Sequence, residues 1–216
     1  MADEALVGAK TLLIQFAKEP VAGKVKTRML QALTPQEAEQ LHTDLVRWVF
    51  RTLLHSDLGP IQLAVSGDTR HPLFEECLLL GAMACVEQRG VNLGERMYHA
   101  LFEGLKQYEK VVLVGSDCPE MDAGYIAQAI GELDEVPIVL GAAQDGGYVL
   151  IGATKITQNV FTNVSWGSGE VLAATIANLS AAQIPFAILD TLQDIDRPED
   201  LPSWEALATG RIGKQH

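Results

Sequence analysis

The stretch "VVLVGSDCPEMD" (Val111–Asp122) decides the fold of this 216-residue chain. A valine-rich apolar run that halts at a glycine, a serine and an aspartate reads as a buried strand and the loop that leaves it. A carboxylate at the carboxyl end of a buried parallel strand stands where open α/β sheets bind ligands. Asp117 is therefore the first candidate site residue. The competing reading is a cap for the next turn or helix.

Working outward, the same signature recurs. Thr11–Ala17, Ile61–Gly67 and residues 83–88 are apolar runs of strand length. Between them lie helical patterns: Pro35 opens one with Ala38, Leu41, Leu45, Trp48 and Val49 at helical spacing, residues 71–80 form a short one, and residues 93–108 carry Met97, Leu101 and Leu105 four apart. A further helix follows at residues 123–133, and a Gly-led one is expected over 165–183. Strands alternating with helices predict parallel βαβ units, a mainly parallel sheet with helices on both faces. The "QDGG" junction (Gln144–Gly147), flanked by two apolar runs, suggests one antiparallel element. With no linker, repeat or low-complexity tract, residues 1–216 are expected to form a single α/β domain.

Composition narrows the function. The net charge of −12 argues against a nucleic-acid surface, which needs clustered Lys and Arg. No run of 18 apolar residues suggests a membrane span, and "MADEALVGAK" lacks the pattern of a signal peptide, so a cytoplasmic protein is expected. The three cysteines, Cys77, Cys85 and Cys118, have no metal-type spacing and are expected as reduced thiols.

Yet four of the 16 basic residues, Lys18, Lys24, Lys26 and Arg28, fall in "KEPVAGKVKTR". The loop after a first strand commonly meets phosphate in α/β folds. Here Gly23 allows close backbone approach, and as an extended segment Lys24, Lys26 and Arg28 would share a face turned toward Asp117. Their removal is then expected to weaken anion binding without lowering stability. Asp194 and Asp196, two apart near the C-terminus, would also share a face in an extended chain. Such a pair repels unless a cation or basic group intervenes. With Asp117 it would make a hard-oxygen site suited to Mg²⁺ or Mn²⁺ bridging phosphates. Asp145, Gly146 and Gly147 suit either a hairpin turn or backbone approach to a ligand, and Tyr148 either stacks on a ring or packs. In "RGVNLGERM" (Arg89–Met97) a helix starts at Asn92 or Gly94, with Glu95 and Arg96 in its first turn.

Taken in order, "FAKEPVAGKVKTRM", "NLGERM", "VGSDCPEM", "QDGGYVLIG", "WGSGEV" and "DIDRPEDL" resemble the bacterial glycosyltransferase-like family DUF2064. The resemblance implies a Rossmann-like GT-A, nucleotide-diphospho-sugar transferase fold. It also implies kinship with enzymes that make molybdopterin-guanine dinucleotide and with phospholactate guanylyltransferases. By it, Lys18, Gly23, Lys24, Lys26, Arg28 and Gly94 would hold a nucleotide, with Lys26, Arg28 and Asp117 catalytic. Asp117, Asp194 and Asp196 would hold Mg²⁺ or Mn²⁺, and Asp145, Gly146, Gly147 and Tyr148 would meet the acceptor or sugar. The implied partners are a nucleotide or nucleotide-sugar donor and a small-molecule acceptor. The implied activity is glycosyl transfer, with nucleotidyl transfer or a non-catalytic nucleotide-binding module as alternatives. Two departures stand out: "SDC" offers one aspartate where a glycosyltransferase DxD has two, and the Gly-Gly-rich loop of the molybdenum-cofactor enzymes is only distantly echoed.

Overall fold

The computed structural model describes residues 10–212, with side chains to residue 210; all but Lys10 of the N-terminal segment read above for a signal peptide lies outside them. Among the described residues seven strands form one sheet: β1 (Thr11–Lys18), β2 (Ile61–Ser66), β3 (Ala84–Glu87), β4 (Lys110–Val114), β5 (Ile138–Ala143), β6 (Tyr148–Ala153) and β7 (Phe186–Leu192). Their order is β3-β2-β1-β4-β6-β5-β7, and β6 alone runs antiparallel to its neighbours. The α/β expectation and the single antiparallel element both hold.

Central β1 and β4 are buried on both faces, which is why they read as continuous apolar runs. One face is covered by α1 (Pro35–Ser56), α2 (Pro72–Leu80) and α4 (Ala123–Glu132), through a core containing Phe50, Phe74 and Ile126. The other is covered by α3 (Leu93–Gly104) and α5 (Val171–Ala181), through Met97, Leu101 and Leu179. The helix α6 (Leu201–Ile212) closes the described chain. Among the described residues no helix is long and apolar enough to cross a membrane.

Local chemistry fixes the helix ends. At the start of α1, the Glu37 N–H donates to Thr34 Oγ1 at 3.2 Å and the Thr34 N–H donates to Glu37 Oε2 at 2.8 Å, a reciprocal cap worth about 1 kcal/mol. Two expected helices are shorter than their patterns. α3 stops at Gly104, where a Cβ would meet Val111 at 2.9 Å, so the helix end presses onto the sheet. α5 begins only at Val171, because Gly167, at φ +85°, belongs to a turn.

This topology gathers the motifs at one edge. The parallel strands end there, and since β6 runs the other way, the hairpin turn carrying Asp145 lies at the same edge.

Candidate active site

Asp117 follows β4 on a rigid footing. Gln15 Nε2 donates to Ser116 Oγ at 2.9 Å, and Ser116 Oγ donates to the Phe16 carbonyl at 2.7 Å, all buried. The Ile195 N–H donates to the Asp117 carbonyl at 2.8 Å, tying the C-terminal acidic segment to the same point. Asp117 Oδ1 is out of solvent and forms an ion pair with the Lys26 ammonium at 2.7 Å. The side chain is nonetheless 47% exposed, so its open side, including Oδ2, faces the cleft. Burial raises its pKa, but Lys26 and His42 overcome that and hold the carboxyl below its usual range.

The basic loop is not extended, which corrects the alternating-face expectation. The Lys24 N–H donates to the Val21 carbonyl at 2.9 Å, and a 3-10 helix runs over Thr27–Gln31. Lys26 takes a left-handed conformation at φ 47°, so adjacent Val25 and Lys26 are both buried. The period-2 rule fails because Met29 must reach the small cluster of Leu41, Leu45 and Ile195. Lys26 donates to the Ile195 carbonyl as well as pairing with Asp117. Arg28 pairs with Asp196, Lys18 Nζ donates to the Lys24 carbonyl at 2.6 Å, and Lys24 and Gly23 are exposed. Of the four basic residues only Lys18 lines the cleft.

The acidic pair is divided as well. Asp194 lines the cleft, where burial first, then Asp145, Asp117 and Asp196, push its carboxyl up to about 6. Asp196 lies outside the cleft lining, on Arg28, and its N–H donates to Asp200 Oδ2 at 3.0 Å. Buried Ile195 anchors the segment between them.

Around the hairpin, Asp145 and Gly147 line the cleft, with Asp145 Oδ1 accepting from the Gly147 N–H at 2.8 Å. Gly146 is a packing glycine: at φ +86° its Cβ would sit 2.0 Å from the Gly169 carbonyl oxygen. Tyr148 lines the wall with its hydroxyl out of solvent, and burial raises its pKa. Gly94 is buried under Trp166, whose ring would be 2.4 Å from an added Cβ, so it serves packing and does not line the cleft. Cys118 is buried and burial pushes its thiol up to about 12, which leaves it an inert thiol.

The cleft has a volume of about 630 Å³ and includes residues that the motif reading passed over: His42, Ser66, Gln88, Arg96 and Trp166. His42 sits in α1 with Nε2 2.8 Å from the Lys18 carbonyl; a carbonyl only accepts, so Nε2 carries the proton. Burial lowers its pKa, against the pull of Asp117. Arg96 and Trp166 lay within quoted motifs, whereas His42 and Ser66 carried no local signal.

Among the described residues no group of three His, Cys, Asp or Glu forms a metal cage. The open side of Asp117 and the crowded Asp194 fit a hard cation completed by substrate phosphate oxygens and water, the usual habit of Mg²⁺. Asp196, engaged by Arg28, does not.

Comparison with known proteins agrees with this architecture. A family model described as "Uncharacterized protein conserved in bacteria (DUF2064)" matches residues 49–168. A crystal structure of a "putative nucleotide-diphospho-sugar transferase" from Desulfovibrio desulfuricans G20 superposes with a TM-score of 0.79 at 25% identity, covering 94% of this chain and 98% of that one. At fold level the chain is similar to 4-diphosphocytidyl-2C-methyl-D-erythritol synthase from Anaerococcus prevotii DSM 20548 (TM-score 0.63, 11% identity, 94% and 98% covered). It is likewise similar to the inositol-1-phosphate CTP transferase from T. maritima (TM-score 0.60, 18% identity, 93% and 96% covered). No curated protein matches the chain in sequence.

Proposed function

The chain belongs to the DUF2064 family, and from that premise we propose that it is a metal-dependent glycosyltransferase using a nucleotide-diphospho-sugar donor and a small-molecule acceptor. A transferase of the nucleotidyl- or sugar-transfer kind is the coarser statement, and the D. desulfuricans structure supports it. One observation carries the finer one: Asp117 gives one oxygen to Lys26 and turns its open side to a cleft shared with Asp194 and Asp145.

Asp117 and Asp194 would hold Mg²⁺ or Mn²⁺, which would neutralise the diphosphate and favour its departure. Lys26 acts from behind the carboxylate: it fixes Asp117 against the Ile195 carbonyl and keeps it ionised. It is a positioning residue, and Arg28 steadies the same segment through Asp196. Asp145 has one oxygen on the Gly147 N–H, leaving the other for an acceptor hydroxyl. In the transfer, the bond from the anomeric carbon to the departing nucleoside diphosphate breaks as the acceptor oxygen bonds that carbon. The hydroxyl proton passes to a carboxylate or to solvent.

Nucleotidyl transfer is the second reading, favoured by the single aspartate after β4 where a DxD would supply two. Incubation with UDP- and GDP-sugars and with each nucleoside triphosphate separates the two: release of nucleoside diphosphate marks the first, pyrophosphate the second. Asp117→Asn is expected to lower either product by at least about a hundredfold. Absence of both products from every donor, with cell-extract acceptors present, overturns both readings.

A further inference from the structure

The cations that the sequence offered for phosphate are mostly engaged with protein groups. Lys26 is shut behind Asp117, and Arg28 is on Asp196. Arg96 is different. It is half-buried at the cleft wall, with Nε donating to the Gly90 carbonyl at 3.1 Å and Nη1 to Ser66 Oγ at 3.3 Å. Both partners are neutral, and no carboxylate among the described residues pairs with it. Glu95 next to it spends its carboxylate on the Val91 N–H at 3.0 Å and on Asn92 Nδ2 at 3.3 Å. Arg96 also lines an adjoining hollow of about 230 Å³ together with Glu87 and Glu103, but neither carboxylate forms an ion pair with it.

A guanidinium has five N–H donors, and two are used here. Taking an unmatched charge partly out of water is unfavourable unless something compensates it. Gly90, at φ +137°, packs its backbone against the start of α3, where an added Cβ would lie 2.8 Å from the Arg96 backbone nitrogen, and this close approach brings its carbonyl to the guanidinium. Ser66 ends β2, while Asp117 follows β4, and these strands flank β1 on opposite sides. Two interstrand spacings, roughly 10 Å, therefore separate the cationic end of the cleft from its carboxylates.

We propose that Arg96, steadied by Gly90 and Ser66, is the oxyanion-binding residue of this cleft, taking a phosphate or carboxylate oxygen of the substrate. The ligand's identity rests on the transferase reading above; the anion subsite itself does not.

The test is calorimetric titration of wild type, Arg96→Gln and Arg96→Lys with inorganic phosphate, UDP and uridine, each with Mn²⁺, and with phosphate again in UDP-saturated protein. Losing a charge-assisted contact should weaken anion binding by about tenfold or more. Uridine affinity should not change, and Arg96→Lys should recover part of the loss. If UDP weakens with phosphate, the oxyanion belongs to the donor. If only phosphate binding to the UDP-saturated protein weakens, it belongs to the acceptor. Arg96-dependent phosphate binding without any UDP binding leaves the subsite standing and removes the nucleotide-donor reading. Should Arg96→Gln melt early, Ser66→Ala provides a milder variant, expected to weaken the same anions by a smaller factor. Anion affinities unchanged in both variants, or uridine weakened as much as UDP, would overturn the proposal.

Discussion

The loop from Lys18 to Arg28 and the segment from Gln88 to Arg96 make an instructive pair. The first holds four basic residues and dominates any reading of local charge, yet its buried ammonium and its guanidinium are consumed by Asp117 and Asp196. The second has fewer basic residues, and one of them faces the cleft with only neutral partners. Charge density along the chain shows where cations are made. Availability depends on which carboxylates fold against them. In this protein Lys26 and Arg28 act as a clamp that holds the acidic C-terminal segment to the end of β4, while the quieter segment adds a half-buried guanidinium to the exposed Lys18 at the cleft.

The clamp is most directly broken at Lys26. Lys26→Met removes the partner of a shielded carboxylate oxygen and leaves the Ile195 carbonyl without its donor. A fully buried broken pair costs about 3–5 kcal/mol, and the half-exposed Asp117 reduces that to about 2 kcal/mol. A fall in Tm of roughly 4–8 °C is expected by calorimetry. An unchanged Tm would mean that Lys26 faces ligand and not protein. This reverses the charge-based expectation that the loop cations are dispensable for stability.

A smaller effect, opposite in sign, is expected at Asp194. Its carboxyl is raised from 3.8 to about 6 in the folded state, so the folded protein binds a proton more readily than the unfolded chain. The associated stability is fully present below pH 3.8 and is lost as pH rises through about 6. Asp194→Asn should therefore raise Tm at pH 7.5, and the gain should vanish near pH 3.5. Because the side chain is only half-buried, screening limits the gain to about 1 kcal/mol, or roughly 2–4 °C. Equal shifts at both pH values would show that packing, not charge, is responsible.

The smallest effect sharpens the contrast between the clamp's two cations. Arg28 and Asp196 are partly exposed, at 49% and 28% of their side chains, and such pairs contribute about 0.2–1 kcal/mol. Arg28→Ala should lower Tm by a few degrees at most, and nucleotide affinity in calorimetry should stay within about twofold of wild type. A tenfold loss of affinity would return Arg28 to the ligand.

Much of this architecture is local in origin and was legible. The buried run at Val111–Val114, the helix opened by Pro35 and the turn glycines at 146–147 each depend on near neighbours in sequence. Asp117 and Asp145 could be placed at the cleft because strand ends are set by where apolar runs stop, whereas Asp194 was reached through its spacing from Asp196 and the family resemblance. The shared face of Lys24, Lys26 and Arg28, and that of Asp194 and Asp196, could not be judged this way. The first assumed extended chain, but the basic loop turns to bury Met29 beside Ile195; the second is undone by Arg28, which holds Asp196 away from the cleft.

By itself, then, the sequence determined an α/β sheet with one reversed strand, a carboxylate after its central strand, and the composition of each motif. Hydrophobic periodicity and turn chemistry are short-range properties, so they survive being read one segment at a time. Only the tertiary structure decided which charges cancel. Lys26 finds its carboxylate at distant Asp117, Arg28 and Asp196 are 168 residues apart, and no local pattern ranks one distant carboxylate above another. That choice, made by packing, left Arg96 as the unmatched guanidinium at the cleft wall.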